Sequence, residues 1–441
     1  LFQRNDASFR DPGGFVFSRD GKIYRRVFDT YNYGLLMNSG LYKTLVDKGW
    51  LVEHTEMSKN TLSPISIPFI TYPYEWCFGQ IKDAALLTLD ICLEAIQYGL
   101  ILKDASAYNI QFMNNRPVFI DTLSFVEYVD GCPWEAYKQF CQHFIAPLAL
   151  AKYCDPRLIL LLREFMDGIP IDLASSMLPM RAYLNLGIAI HIKLHSIGQN
   201  RVTTRPAVKI GKAQLVAFLR SLRSVVSKMK YRVRSSSVDY HEFSNYSDQS
   251  SLNKRIIVDK FLRCARSEKI FDIGCNTGEF SVEASSQGYH VISADYDHDC
   301  IELLYRTKRK RIYPMVLDAS SPSPSVGWMC MERSSIFHRL NVDTVMALAL
   351  IHHLSIKNNV PFEESSRLFA LLLGKTVEGA LLIEFVLPED PSVVMLTRDR
   401  SDLYEWYNQE KFEEIFSRRF TIIDREPIID SPRVVYLMRL V

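Results

Sequence analysis

Residues 269–280 read KIFDIGCNTGEF, a short apolar run that breaks into small residues and then opens an amphipathic stretch. The spacing is Asp272-x-Gly274-x-Asn276-x-Gly278. A strand that turns through glycines into a helix makes a notch where backbone can approach a nucleotide- or anion-sized ligand. Gly274 allows the tight turn, and Gly278 lets the helix pack close to the strand. Asn276 takes the middle position, where Asn tolerates a left-handed backbone better than most residues. Asp295 ends the run HVISAD, 23 residues after Asp272, where an acid can accept from the two hydroxyls of a ribose. Asp318 ends the next apolar run, IYPMVLD, and His352 and His353 end DTVMALALIHHL. Glycines also punctuate ordinary loops, and solvated carboxylates end ordinary strands. The ordered series of polar groups at strand ends argues for a ligand. Glu279 opens the helix, where it would repel a dinucleotide pyrophosphate but suit a cationic or zwitterionic ligand.

These groups need a sheet to hold them. Alternating apolar runs and helical stretches predict strands at 269–273, 290–294, 312–317, 343–350, 380–386, 420–424 and 433–440, with ligands bound at their carboxyl ends. At this point the chain resembles the class I S-adenosylmethionine-dependent methyltransferases. The likeness covers about 240–441 and rests on DIGCNTGEFS, VISADYD, VLDASSPSPSVGW and ALALIHHL. It implies a Rossmann-like seven-stranded sheet, its last two strands paired antiparallel at the edge, and S-adenosyl-L-methionine as cofactor. By motif position, Asp272, Gly274 and Gly278 contact the methionine portion, with Asn276 standing where the family most often has glycine. Asp295 would hold the ribose and Asp318 would lie by the adenine. Methyl transfer needs alignment of an acceptor and sometimes a base, and no metal is expected. His352 or His353 could be that base, or a packed histidine; Glu384 is a weaker candidate or a structural carboxylate. SSPSPSVGW reads as a loop over the ligand or a plain surface loop, and Tyr240 and Tyr246 as covers over the cofactor or packing residues. Cys275 reads as a small packing residue. The methyl acceptor is not identified.

A second constellation lies in LKDASAYNIQFMNNRPVFIDTLSF, where Asn109 follows Asp104 by five residues and Asp121 ends PVFID. Over about 10–200 this resembles the kinase-like superfamily. There, such a set implies a catalytic Asp with an Asn and a second Asp on Mg²⁺. Leu102 and Lys103 replace the usual His-Arg, and Thr122-Leu123 replace Phe-Gly. Lys22, Arg25 and Arg26 compete for the phosphate-binding cation. The expectation is a degenerate α+β kinase-like domain over 1–200 without phosphate transfer; Asp104 and Asn109 capping a turn is the structural alternative, and for the whole chain the alternative function is a phosphotransferase or non-catalytic scaffold carrying a methyltransferase-like domain. The order of the two halves resembles a bacterial family of fused proteins that includes nodulation proteins.

The opening half also predicts a hairpin in GFVFSRDGKIYRRVF around Asp20-Gly21, a helix near 33–48, and a long helix before Gly99. Between the halves, 201–250 reads as a linker. It has ten Lys/Arg and no Asp/Glu from Arg201 to Arg234. Leu215, Phe218, Leu219 and Leu222 share one helix face, so a bridging helix with a solvated basic face is favoured over nucleic acid or an anionic membrane surface. The remaining domain, 251–441, is the methyltransferase-like one.

With 48% apolar and 23% charged residues and a net charge of +2, no global field argues for nucleic acid. No apolar run reaches the ~18 residues of a membrane span. Nine cysteines without a C-x-x-C pair fit reduced thiols, and a cytoplasmic protein is expected. The opening LFQRNDASFRDPGG has no apolar signal core and no initiator Met, so the natural start is expected upstream.

Overall fold

The computed structural model describes residues 2–199, 209–234, 247–374, 376, 378–398 and 404–441. Tyr240 and Tyr246 lie outside the described residues. The chain divides into two compact units, the first comprising residues 1–232 with 325–334 and the second 233–324 with 335–441.

In the first unit, β1 (Phe2–Arg4), β2 (Gly14–Arg19), β3 (Lys22–Val27), β4 (His54–Ser58) and β5 (Thr61–Pro64) form an antiparallel sheet in the order β1-β2-β3-β5-β4. The β2–β3 turn is Asp20-Gly21, both at positive φ (+50° and +76°), the backbone that a two-residue hairpin twist requires. The helix expected near 33–48 is two helices, Thr30–Asn38 and Leu41–Asp47. Gly40, at φ +85°, turns the chain between them, a conformation that glycine adopts without steric cost.

The long helix is Phe78–Gln97, and Gly99 follows it at φ +74°. Its apolar positions, including Ala85, Leu89, Ile91, Cys92, Ala95 and Ile96, are buried. The basic helix Lys212–Lys228 belongs to this unit, with Leu215, Leu219, Leu222 and Val226 buried. Arg223 Nη2 lies 2.9 Å from Asp90 Oδ2 on the long helix. β6 (Leu100–Leu102) pairs with β9 (Phe125–Glu127), and β7 (Ile110–Met113) with β8 (Arg116–Phe119).

The second unit is a seven-stranded mixed sheet with helices. Its strands are β10 (Lys269–Ile273), β11 (His290–Asp295), β12 (Ile312–Val316), β13 (Thr344–Ala347), β14 (Ala380–Val386), β15 (Phe420–Pro427) and β16 (Arg433–Leu440). The order is β12-β11-β10-β13-β14-β16-β15. The first five run parallel, and β16 is antiparallel to both β14 and β15.

The central strands are buried along nearly their whole length, completely so in ALLIEFV of β14, because helices cover both faces of such a sheet. β15 alternates half-buried and exposed residues after a buried Phe420, the pattern of an edge strand, and runs three residues beyond its expected end. β13 is shorter than expected. Ala349 at φ +49° turns the chain out of the sheet, so Leu348–Leu350 are loop. The helix Asp248–Ala265 buries Ile257, Val258, Phe261 and Leu262 in the core with Ile270, Val291 and Leu437, each such side chain stabilising by roughly 1.5–3 kcal/mol.

Candidate functional site

The order of the parallel strands reverses beside β10: β11 lies on one side of it and β13 on the other. A cavity of about 440 Å³ opens at this point, at the carboxyl ends of the strands, within the ~300–1,000 Å³ usual for small-molecule sites. Asp272, Gly274, Asn276, Asp295, Asp318 and His353 all line it. Gly278 and His352 do not.

The glycine turn has the expected backbone. Gly274, Asn276 and Gly278 all have left-handed φ, at +78°, +50° and +80°. A Cβ on Gly274 would meet Leu350 Cδ1 at 3.2 Å, on the cavity wall. One on Gly278 would stand 2.5 Å from Leu304 Cδ1, so this glycine serves close packing rather than the cavity. Asn276 is held from two directions. Its N–H donates to Asp295 Oδ2 at 2.8 Å, and its Oδ1 accepts from Cys300 Sγ at 3.2 Å.

Asp295 is buried, and its other oxygen accepts from the Asp297 N–H at 2.9 Å. Burial pushes its carboxyl up to about 6, against the pull of those two backbone donors. Asp272 is pushed up to about 7, again by burial first; the Ser281 hydroxyl, 2.5 Å away, and Lys254 pull it down, while Asp295 pushes it up. The cavity wall carries four carboxylates, Asp272, Glu279, Asp295 and Asp318, against two lysines, Lys254 and Lys357.

His353 begins a π-helical turn, His353–Lys357, after β13, a local irregularity common at functional sites. Burial, then Lys357 and Arg433, hold its imidazole down to about 4, so it is neutral at pH 7. His352 is fully buried behind it, ring centroids 4.1 Å apart, and burial holds it well below its ordinary value. Glu384 does not reach the cavity. It lies 2.6 Å from Lys254 Nζ and 3.3 Å from Arg433 Nη1, while Arg433 Nε lies 2.7 Å from Asp390. All four of these side chains are buried. Cys275 is buried, its thiol raised by that burial.

Of the loop after β12, only Leu317, Asp318 and Ala319 line the cavity. Residues 325–334 fold as part of the first unit. There Arg10 Nε lies 3.0 Å from Glu332 and the Arg333 guanidinium sits 4.4 Å from the Tyr108 ring centre.

The other constellation is also assembled. β6, β7, β8 and β9 bracket Asp104, Asn109 and Asp121. Asn109 Nδ2 is 3.5 Å from Ser124 Oγ, and that hydroxyl donates to Asp121 at 2.5 Å. Asp104 accepts from the Ser106 N–H at 2.8 Å; burial, with a contribution from Asp121, raises its carboxyl. Arg25 on β3 reaches Asp121 at 2.7 Å and Asp11 at 2.6 Å. Burial alone would raise Asp121, but Arg25, Ser124 and the Leu123 N–H bring it below its ordinary value. Among the described residues, no group of three or more His, Cys, Asp or Glu could hold a metal ion, and no helix is long and apolar enough to cross a membrane.

No family model matches the chain. The nodulation protein NoeA of Rhizobium meliloti (strain 1021) is 33% identical over 454 residues, spanning 97% of this chain and 94% of NoeA. The chain belongs to the NoeA family of nodulation proteins. Solved structures were also compared with it. The N-methyltransferase NodS from Bradyrhizobium japonicum WM9, in complex with S-adenosyl-L-homocysteine, is 12% identical, covering 47% of this chain and 99% of its own (TM-score 0.34). The magnesium protoporphyrin IX methyltransferase of Synechocystis PCC 6803 is 15% identical, covering 44% and 85% (TM-score 0.32). The bifunctional kinase-methyltransferase WbdD is 16% identical, covering 44% and 40% (TM-score 0.31).

In this NoeA-family chain, the sequence motifs missed Lys254 and Phe280 on the cavity wall and left Arg25 undistinguished from Lys22 and Arg26 in the first unit. Lys254 had a signal: it lies three and four residues before Ile257 and Val258, so it is a lysine on the apolar face of its helix. Its Nζ stands 5.1 Å from the Phe280 ring centre. Arg25 was one of three equivalent cations in sequence, and only the pairing of β3 distinguishes it.

Proposed function

We propose that the second unit binds S-adenosyl-L-methionine and transfers its methyl group to an acceptor that is not yet identified. The observation that carries this reading is the acid-rich cavity at the strand-order reversal, closed on one side by a glycine turn with left-handed backbone. Four carboxylates against two lysines suit a ligand with a cationic centre and disfavour a pyrophosphate, which sets this reading against a nicotinamide dinucleotide. The cofactor supplies a methyl group already activated on a sulfonium.

The chain's own residues do the rest. Asp295, on the cavity wall, accepts from the ribose hydroxyls. Gly274, with Asn276 and Asp272, gives the close backbone approach for the amino-acid end, and Gly278 keeps the turn packed. Asp318 lies on the adenine side. His353, neutral and on the wall, takes a proton from the acceptor where one must leave; His352 buttresses its ring.

The first unit, in this reading, is a kinase-like domain that no longer transfers phosphate, because Arg25 neutralises the Asp121 that would hold a metal. It serves as a scaffold for the methyltransferase unit. The nodulation name of the NoeA relative supports a role for the reaction in nodulation.

Calorimetric titration of the full chain with S-adenosyl-L-homocysteine tests the cofactor. Binding near micromolar affinity, about −8 kcal/mol, is expected, with NADH giving no heat. Asp295→Ala should weaken it by ~1.5–3 kcal/mol, the cost of leaving ribose hydroxyls without a charged acceptor. Absence of binding, or preference for NADH, sinks the reading; unchanged affinity in the variant removes Asp295 from the site.

A further inference from the structure

The first unit carries a strip of large aliphatic side chains on its surface between Met180 and Ile197. Leu186 begins a helical run that continues to Gln199. Along its inner face Ile188, His191 and Ile192 are buried, with His191 Nδ1 2.7 Å from Tyr137 Oη. Gly187 lets it approach the basic helix so closely that a Cβ would stand 2.5 Å from Val225 Cγ1. The run is therefore pinned by its inner face. Its outer face carries Leu186, Ile190, Leu194 and Ile197, at spacings of four, four and three. With Met180 and Leu184 just before them, these six side chains are between 47% and 86% exposed. Single exposed aliphatics are ordinary, but a periodic row of them on one face is not.

Along the sequence, the charge from this row onward has one sign. From residue 173 to residue 238 the chain has twelve Lys/Arg and no Asp or Glu. Lys193 and Arg181 lie within the strip. Lys193 lies over the Tyr183 ring at 5.4 Å, and Arg181 donates to the Tyr153 carbonyl at 3.0 Å. An aliphatic row flanked by cations, in a segment empty of acids, is the chemistry of a helix lying in the plane of an anionic bilayer. An RNA surface would offer aromatic platforms for bases, and a protein interface would be expected to centre on aromatic side chains. This outward row has neither. We propose that the surface from Met180 to Ile197 docks the protein on an anionic phospholipid membrane, its apolar row entering the headgroup boundary and its cations meeting lipid phosphates.

Co-sedimentation of the full chain with vesicles tests this. Binding to phosphatidylglycerol–phosphatidylcholine vesicles is expected, falling about tenfold or more on pure phosphatidylcholine and weakening with salt. The double variant Leu186→Ser, Leu194→Ser should lose about tenfold or more of the binding with circular dichroism unchanged. Lys193→Gln should bind more weakly and with a shallower salt dependence, and serves as the second variant if the first misfolds. No binding to anionic vesicles overturns the proposal, as does equal binding by both variants. Self-association that the leucine variants abolish, without vesicle binding, would give the face to a second copy of the chain. RNA binding that Lys193→Gln weakens, again without vesicle binding, would give it to nucleic acid.

Discussion

The two acidic constellations of this chain look alike in sequence and differ in what faces them. Each places aspartates and an asparagine at the ends of strands. Around Asp272 and Asp295 the carboxylates point into a cavity, burial raises both, and the nearest buried lysine is held by Glu384, 2.6 Å away. Around Asp104 and Asp121 an arginine has arrived from β3, a strand of a different sheet, and sits 2.7 Å from the second aspartate, which is lowered. In the second unit the two acids line a cavity; in the first, an internal cation sits against the acid. The lesson is that an acid's usefulness depends on whether its partner comes from the protein or must come from outside.

The comparison breaks most visibly at His353. If it is the base of an active second unit, His353→Ala should keep affinity for S-adenosyl-L-homocysteine and lose ~10²–10⁴-fold in turnover, about 3–5 kcal/mol of barrier. A parallel fall in thermal stability and activity would instead make it a packing residue like His352.

A smaller effect sharpens the role of the turn. Gly278→Ala adds a methyl at φ +80° and 2.5 Å from Leu304, and should cost about 2–4 kcal/mol in denaturant unfolding. Gly274→Ala has a looser neighbour and should cost less stability while impairing ligand binding more. The reverse ranking would refute the division of labour between the two glycines.

The pH dependence follows from the raised carboxyls. A cationic ligand needs Asp272 and Asp295 ionised, so its affinity should rise with pH through about 6 to 7, by up to about tenfold per unit for one proton released. The sign for stability is opposite. Between the ordinary carboxylate range and about 7, folded Asp272 keeps a proton that the unfolded chain has lost, so its contribution to stability falls as pH rises through that window. Asp272→Asn should flatten both slopes in calorimetry and thermal unfolding. A flat profile in the unsubstituted protein would mean these acids do not face the ligand.

The smallest expected effect is in the first unit, where Mg·ATP should leave the melting temperature unchanged. A marked stabilisation that vanishes in Asp121→Asn, together with ATP turnover lost in Asp104→Ala, would erase the contrast between the two sites and restore a phosphotransferase reading.

Local chemistry made much of this protein legible in one dimension. Most strands of the second unit announce themselves as apolar runs broken by turn residues, since the interior strands must be buried on both faces. The left-handed backbone at Gly274, Asn276 and Gly278 is a property of those residue types, and Gly99 stops its helix for the same reason. What lay beyond the sequence were the encounters between distant segments. Nothing in residues 22–26 marks Arg25 rather than Lys22 or Arg26 as the partner of Asp121, because strand pairing decides which side chain faces it. Lys254 and Arg433 meet Glu384 across 130 and 49 residues respectively, and that meeting turns a possible catalytic acid into a buried ion-pair centre. His352 and His353 are identical neighbours in sequence. The π-helical turn after β13 puts one on the cavity wall and the other in the core. Composition and periodicity set which segments are strands and where the chain can bend. Charge pairing and exposure depend on distances that only the folded chain creates.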